Sequence, residues 1–291
     1  MFSQEARFEN AMKKQKLSNQ FIELEYFTNS QRIISLMPKG KSNIFADLNH
    51  LPPTSTPYGD FHFHGGHRLW HAPESMPRTY APDTGPQTIT ELDAGVSLEA
   101  QTEPGTGIRK RIEIRLDSDA PKVTLTHVLI NDGLWTVELA PWAITQFRLG
   151  GTVILPLPIQ NVDPAELLPN RQLSFWPYAS FSDSRLVLRD EYTFFKAESA
   201  PAFKVGYFNT HGWLGYWIDG VFFKKTFDAQ AKVTYPDNNS NAEMYCNEDF
   251  VELESLAPFV KLKPGATVEH IEEWEVSTTL PTTLRELISK I

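Results

Sequence analysis

The densest group of side chains that could do chemistry lies within residues 61–74, FHFHGGHRLWHAPE. Ligand sites typically combine aromatic walls with a few convergent polar or charged groups, and a sugar needs both for its apolar face and its hydroxyls. Four residues supply these types: His67, Arg68, Trp70 and Glu74. This stretch therefore predicts part of a carbohydrate site. In the alternative interpretation Trp70 is a core residue, Arg68 pairs with Glu74 structurally, and the histidines are exposed.

The same histidines allow a metal interpretation. His62 and His64 would share one strand face, and His67 and His71 follow them. Neutral imidazoles suit zinc, nickel or copper. Their spacing is irregular, however, and no second group of ligands stands out in the sequence. We therefore expect no bound metal and no cofactor, with hydrogen-bonding or surface roles for these histidines.

Two later segments carry further candidates. In residues 136–147, TVELAPWAITQF, Trp142 follows a proline at a strand bend, so its ring could face a cleft or pack in the core. In residues 242–255, AEMYCNEDFVELES, alternation places Glu252 and Glu254 on one strand face, and Glu243 adds a third carboxylate. Paired carboxylates can act as acid and base when their pKa values differ, or form a solvated acidic face.

The elements that would position these residues are β-strands. Apolar and polar residues alternate with a period of two, as in residues 111–116, RIEIRL. Asp219-Gly220 suits a tight hairpin turn. Short strands joined by such turns predict antiparallel sheets packed face to face. Strand-like runs occupy residues 21–27, 95–100, 123–130, 136–142, 184–190, 215–227, 250–256 and 267–276.

Helical pattern is confined to the two ends. We predict three parts: an N-terminal extension over 1–20 with a candidate helix over 1–17, one β-domain over 21–277, and a short C-terminal helix within 278–291. Thr283 and Glu286 have the spacing of a helix capping box. The Pro- and Thr-rich stretch 72–91 is expected to be a long loop at one edge of the sandwich.

Composition excludes some partners. The net charge is −9 over 291 residues, which makes nucleic acid an unfavourable partner. No apolar stretch has the length of a membrane span or a signal peptide, so we expect a cytoplasmic protein without membrane partners. Cys246 is the only cysteine, which excludes an intramolecular disulfide. The oligomeric state stays open.

Three segments together resemble an uncharacterised family of the galactose mutarotase-like (aldose 1-epimerase-like) superfamily. They are GGHRLWHAPE, LAPWAITQF with the following Gly-Gly, and FVELESLAPFVKLKPGATVEHIEEWEV, in the expected order over about residues 20–277. The resemblance implies an all-β fold, a large twisted antiparallel β-supersandwich with few short helices. It also implies a small-molecule carbohydrate as ligand.

The resemblance further implies roles for individual residues. Arg68 matches the substrate-binding arginine, and Glu254, in Leu-Glu-Ser, matches the catalytic base. Trp142 stands where mutarotases carry their acid histidine, and an indole N–H does not donate its proton at neutral pH. His67 and His211 are the candidate replacement acids, whereas His127 is expected to be a core residue.

Two functions follow from these roles. One is an aldose 1-epimerase-like isomerase, in which Glu254 deprotonates the anomeric hydroxyl. The other is a non-catalytic sugar-binding or sensing domain, in which Trp142 stacks on the sugar and Glu243 and Glu254 accept hydrogen bonds from its hydroxyls. Glu252 is a further candidate for substrate binding. A metal-assisted lyase or isomerase is a third interpretation. The sequence does not name the sugar.

Overall fold

The computed structural model describes residues 12–159 and 164–291, and most of them lie in two large antiparallel sheets. The first sheet has the order β1 (Lys14–Ser18), β2 (Ile22–Phe27), β3 (Ile33–Pro38), β6 (Gly66–Ala72), β11 (Val137–Phe147), β20 (Val251–Leu256), β19 (Ala242–Cys246), β16 (Phe203–Tyr207) and β13 (Ser174–Phe175), and β21 (Val260–Leu262) also pairs with β11. This sheet carries most of the predicted site residues.

The second sheet packs against the first. Its order is β14 (Leu186–Leu188), β15 (Tyr192–Lys196), β12 (Thr152–Pro156), β17 (Trp213–Ile218), β18 (Val221–Phe227), β22 (Thr267–Ser277), β10 (Lys122–Asn131), β9 (Ile108–Leu116), β8 (Gly95–Ala100) and β7 (Gln87–Leu92). The remaining elements are a small hairpin, β4 (Thr54–Thr56) with β5 (Gly59–Phe61), a helical turn α1 (Pro236–Asn239), and a helix α2 (Thr282–Ile288).

Strand alternation builds the core between the two sheets. In β9 every second residue is buried, and Ile112 and Ile114 belong to the main hydrophobic cluster, as the period-two pattern predicts. Leu69, Leu253 and Trp274 join the same cluster from the first and second sheets. The predicted all-β sandwich of antiparallel sheets is confirmed.

The hairpin turn predicted at Asp219-Gly220 joins β17 to β18, and both residues have positive φ angles of 50° and 71°. The helix predictions for the two ends of the chain agree less well with the structure. Residues 14–18 form strand β1 against β2 where a helix was the candidate, and residues 1–11 lie outside the described part. The C-terminal helix is present as α2. Its N-cap is Pro281, and no side chain makes a capping hydrogen bond there, so the predicted capping box of Thr283 and Glu286 is wrong.

Gly65 and Gly66 turn the chain into β6 with φ angles of 88° and 70°. A Cβ atom would lie 1.9 Å from the carbonyl oxygen of Ala46 at the first position and 2.0 Å from that of Ile33 at the second. Glycine is therefore required because neighbouring backbone approaches closely. In the described residues, no helix has the length and apolar composition to span a membrane.

Candidate functional site

The candidate site lies on the outer face of the first sheet, which is the face turned away from the second sheet. Since side chains alternate along a strand, core residues such as Leu69 and Leu253 place their neighbours on this face. Five neighbouring strands contribute the polar and aromatic residues of the face: Arg68 and Trp70 from β6, Trp142 and Gln146 from β11, Glu252 and Glu254 from β20, Glu243 and Tyr245 from β19, and Lys204 from β16.

A cavity of about 540 Å³ opens over this face, within the usual size range of small-molecule sites. Its aromatic lining comes from the sheet and from surrounding loops: Phe63, Trp70, Tyr80, Trp142, Trp176, Tyr178, Tyr245 and Phe250. Its charged lining is Arg68, Glu74, Lys204 and Glu252. The cavity therefore combines several ring faces with both signs of charge.

The Pro- and Thr-rich stretch 72–91 forms one wall of the cavity through Glu74 and Tyr80. Most of it is loop, as expected, and its last residues begin β7. The Tyr80 hydroxyl donates to Glu74 Oε1 at 2.5 Å, and burial raises the pKa of this tyrosine. Glu74 is consequently engaged by Tyr80 and does not form the ion pair with Arg68 that the structural alternative proposed.

Arg68 is held between aromatic rings and one carboxylate. Its guanidinium lies 4.2 Å from the Trp70 ring centre and 5.7 Å from that of Phe63, in the range of cation–π contacts. Its Nη2 donates to Glu252 Oε1 at 3.1 Å. Its Nε and Nη1 are buried without a hydrogen-bond partner among the described residues. Two N–H directions of a fixed cation therefore remain unused.

Glu252 forms the acidic part of the cavity wall. Its Oε1 also accepts a hydrogen bond from Gln146 Nε2 at 2.9 Å. Burial raises the pKa of Glu252 to about 7, opposed by Arg68 and reinforced by Glu254. A carboxyl group with such a pKa changes protonation state near neutral pH.

Lys204 was not predicted from the sequence. Its Nζ lies 2.7 Å from Glu243 Oε2 and 2.9 Å from Glu254 Oε2, and above the rings of Trp142 and Trp176. Burial would lower the pKa of Lys204, but the two carboxylates raise it well above its ordinary value. The lysine therefore stays an ammonium ion that compensates buried negative charge.

Glu254 and Glu243, the other two predicted glutamates, lie beneath the cavity wall. Both are fully buried, and neither lines the cavity. Glu254 Oε2 accepts from Trp142 Nε1 at 2.8 Å as well as from Lys204. Burial raises the pKa of Glu243 well above its ordinary value, and Lys204 opposes that rise. Lys204 thus ties both carboxylates into a buried cluster.

The sequence allowed the Trp142 ring either to face a cleft or to pack in the core, and in the structure it does both. The side chain is 2% exposed and its ring lies 5.3 Å from that of Trp70, edge to face. The residue nevertheless lines the cavity. Its indole is thus packed as a core residue, and it forms part of the cavity floor.

His67 and His211, the two candidate acids, do not line the cavity. His67 is fully buried on the opposite face of β6, toward the second sheet. His211 Nε2 contacts the Leu157 carbonyl oxygen at 3.0 Å, in a loop between β16 and β17. The structure therefore brings together Arg68, Trp70, Glu74, Trp142 and Glu252 at the cavity, with Glu243 and Glu254 below it, and places both histidines elsewhere.

A buried polar cluster around His67 lies between the sheets. His127 Nδ1 donates to the His270 carbonyl oxygen at 2.9 Å, and burial lowers the pKa of His127, so the ring is neutral and its Nε2 is unprotonated. His67 Nε2 then donates to His127 Nε2 at 2.7 Å, and His67 Nδ1 accepts from Thr145 Oγ1 at 2.9 Å. Neutral tautomers satisfy every one of these contacts, and His127 is the core residue that was expected.

Glu272 completes this cluster and raises the question of a metal. Nitrogens of His67 and His127 and an oxygen of Glu272 lie within 4.8 Å of one another. Glu272 is already bound by Lys225 Nζ at 2.8 Å, by Trp274 Nε1 at 2.9 Å, and by a serine hydroxyl. Despite burial, Lys225 helps hold the pKa of Glu272 well below its usual range. The donor set is that of a hydrogen-bonded core.

His62, His64 and His71 do not come together in one cluster of possible metal ligands either. His62 stacks on His64 with ring centres 5.4 Å apart, and His64 Nδ1 contacts Asn49 Oδ1 at 2.6 Å. His71 instead contacts Glu103 at 3.5 Å, in a separate buried cluster with Lys110. The histidines of residues 62–71 therefore point into three different environments.

The two large stacked antiparallel sheets match the sandwich fold of galactose mutarotase-like proteins. Solved structures that share the fold are mostly galactose mutarotase-like and aldose 1-epimerase-like proteins. Sequence identity to them is about 10%, so the similarity shows a shared fold and nothing more.

Three of these structures illustrate the match. A putative aldose 1-epimerase from Escherichia coli K12 is 12% identical with a TM-score of 0.58, over 92% of this chain and 99% of the other. A galactose mutarotase-like protein from Lactobacillus casei is 10% identical with a TM-score of 0.57, over 91% and 100%. A TPR-domain containing protein from Parabacteroides distasonis is 13% identical with a TM-score of 0.65, over 93% of this chain.

This chain spans only 48% of the length of the Parabacteroides protein. No family model matches the sequence, and no curated protein matches it either.

Proposed function

We propose that this protein binds a carbohydrate in the cavity on the outer face of the first sheet. The observation that carries the proposal is the meeting of Arg68, Glu252 and several aromatic rings around one cavity of about 540 Å³. A sugar ring presents apolar C–H groups that pack on aromatic faces, and hydroxyls that need directional donors and acceptors. The fold shared with mutarotase-like proteins supports the same ligand class.

Each part of the cavity has a function in this proposal. The rings of Trp70 and Trp176, from β6 and the loop after β13, supply apolar surface from different sides. Arg68 supplies positive charge in the cavity wall, and Glu252 supplies an acceptor. Charged groups fixed by packing and hydrogen bonds bind a ligand without first losing side-chain entropy.

Sugar binding is the function that the geometry favours over catalysis by the mutarotase mechanism. The sequence resemblance matches Trp142 to the acid histidine, and Glu254, the predicted base, is fully buried and bound by Trp142 and Lys204. Anomer exchange by an aldose 1-epimerase-like route is the second candidate, and Glu252, which lines the cavity, favours it.

Isothermal titration with a panel of neutral aldoses and sugar acids tests the proposal. We expect at least one sugar to bind wild-type protein, and Arg68→Met to weaken that binding about tenfold or more, since hydrogen bonds to a charged group contribute about 1.5–3 kcal/mol. Arg115→Met, at a half-exposed arginine of the second sheet, is the matched control and should bind like wild type. Absence of binding across the panel, or equal affinity in Arg68→Met, would contradict the proposal.

A further inference from the structure

Of the four glutamates around the cavity, Glu252 is the one that is buried in the cavity wall and also keeps a carboxylate oxygen without a partner among the described residues. Glu243 and Glu254 are fully buried and bound by Lys204. Glu74 accepts from the Tyr80 hydroxyl and lies at the exposed rim. Glu252 lines the cavity, and only its Oε1 is occupied, by Arg68 and Gln146. Its Oε2 has no hydrogen-bond partner among the described residues.

The partners of Glu252 Oε1 also fix the direction of the other oxygen. Arg68 on β6 and Gln146 on β11 hold Oε1 from two strands of the sheet. Arg68 keeps two buried N–H groups without a partner beside the same carboxylate. Arg68 and Glu252 both line the cavity, so a carboxylate oxygen without a partner lies beside a fixed positive charge, which is the pairing needed to move a proton next to a developing oxyanion.

We propose that Glu252, and not Glu254, transfers the proton in an anomer exchange catalysed at this cavity; the proposal rests on the sugar binding proposed above. Glu252 Oε2 takes the proton from the anomeric hydroxyl. The C1–O1 bond becomes a carbonyl as the C1–O5 bond breaks, and its electron pair goes to O5. The positive charge of Arg68, which lines the cavity, stabilises the resulting O5 alkoxide.

The same carboxyl group then returns the proton. O1 and O5 are bonded to the same carbon of the ring form, so Oε2–H can reach O5 after ring opening and protonate it. The products are the open-chain aldehyde and the original carboxylate, so atoms, protons and charge balance without a second acid. Rotation about the C1–C2 bond and reversal of these steps yield the other anomer. This route requires no histidine, consistent with Trp142 in place of one.

The charged and titratable groups around Glu252 predict the pH profile of the exchange. These groups are Arg32 just before β3, Arg68 of β6, Lys204 of β16, Tyr245 of β19, Glu254 of β20, and Tyr80 and Glu74 of the loop. Burial raises the pKa of Glu252 to about 7 in their presence. Because the carboxylate is the reactive form, the exchange rate should rise with pH up to about 7 and level off above it.

Exchange NMR between the two anomers of a bound sugar, with polarimetry on freshly dissolved sugar, tests the assignment. We expect Glu252→Gln to lower the catalysed rate at least 100-fold, the usual range for loss of a general base, with affinity within a few-fold of wild type. Glu252→Asp, which keeps the carboxylate but shortens its reach, should retain an intermediate rate. Glu23→Gln, at a surface glutamate paired with Lys16 on β2, is the matched control and should exchange like wild type.

The other possible results distinguish failure of the Glu252 assignment from failure of the proposed sugar binding. Sugar binding without acceleration by wild-type protein overturns the assignment of Glu252 and leaves the binding function in place. Full activity in Glu252→Gln with loss of activity in Glu254→Gln overturns it in favour of Glu254. Absence of any sugar binding overturns the proposed function itself.

Discussion

At the scale of single residues, the site consists of charges that are buried but compensated. Arg68 is paired with Glu252, and Lys204 with Glu243 and Glu254. Burying a charge without a partner is costly, so each pair stabilises the fold only while both members are present. The polar side chains that could bind a sugar therefore have fixed positions.

The Lys204→Met variant should show that stability depends on pairing of the buried charges. Removal of the ammonium leaves Glu243 and Glu254 facing each other across paired strands without a cation. Breaking a buried ion pair by removing one partner typically costs about 3–5 kcal/mol. Urea denaturation should show a loss of that size in the free energy of unfolding. Lys261→Met, at an exposed lysine, is the control, and a loss below about 1 kcal/mol in Lys204→Met would show that Lys204 does not compensate the carboxylates.

Alternation along each strand made part of the site predictable at this scale. Arg68 and Trp70 share a face of β6, and Glu252 and Glu254 share a face of β20, as their spacing requires. The same rule places His67 on the face opposite Arg68, a signal that was present in the sequence. Lys204 could not be found in this way, since a lysine in a strand is ordinarily a solvent-facing residue.

At the scale of elements, the turn at Gly65-Gly66 positions β6 against β3. Gly66 has a φ angle of 70°, and a Cβ atom there would overlap the Ile33 carbonyl oxygen of β3. The pairing of β3 with β6 at Ile33 and His67 follows directly after this turn. The direction of Arg68 thus depends on a glycine two residues earlier.

Gly66→Ala should consequently destabilise the protein by about 2–5 kcal/mol, which combines the cost of positive φ with that of overpacking. Gly40→Ala is a matched control, because Gly40 has a φ angle of 74° but nothing within 4 Å of its Cβ position. Thermal and urea unfolding of the two variants should therefore differ clearly. Equal losses would mean that the backbone contact at Gly66 contributes nothing.

Strands were predicted better than termini for a physical reason. The period-two pattern of residues 111–116 results from burial of one face, which the sequence records directly. Strand β1, KQKLS, is mostly exposed and has no such pattern. Its strand conformation comes from pairing with β2, a contact between segments that local sequence does not encode.

At the scale of the whole molecule, stability should depend on neutral histidines between the sheets. Burial lowers the pKa of His270 to about 3, and it also lowers the pKa values of His67 and His127. The unfolded chain binds protons at these histidines below about pH 6.5, whereas the folded chain does not. Their contribution is present above pH 6.5 and is lost as the pH falls.

We therefore expect the free energy of unfolding to fall between pH 7 and pH 4.5, by up to about 1.4 kcal/mol per pH unit for each histidine. Glu252 acts in the opposite direction, because its raised pKa makes the folded state bind the extra proton between about 4.5 and 7. Burial also raises the pKa values of Glu243 and Asp237, which act with Glu252, but it lowers those of His64 and His71 as well. Five histidines outweigh three carboxyl groups, so the net change is a loss. Urea denaturation at several pH values measures it, and constant stability down to pH 4.5 would contradict neutral histidines in the core.

The central claim is that a sugar ring binds between the aromatic wall and the Arg68–Glu252 pair. A crystal structure of the protein with the tightest-binding sugar of the titration panel tests this most directly. The account predicts ring density in the cavity, with a sugar oxygen within hydrogen-bond distance of Arg68 and another near Glu252. A sugar bound elsewhere on the molecule, with this cavity empty of it, would contradict the account.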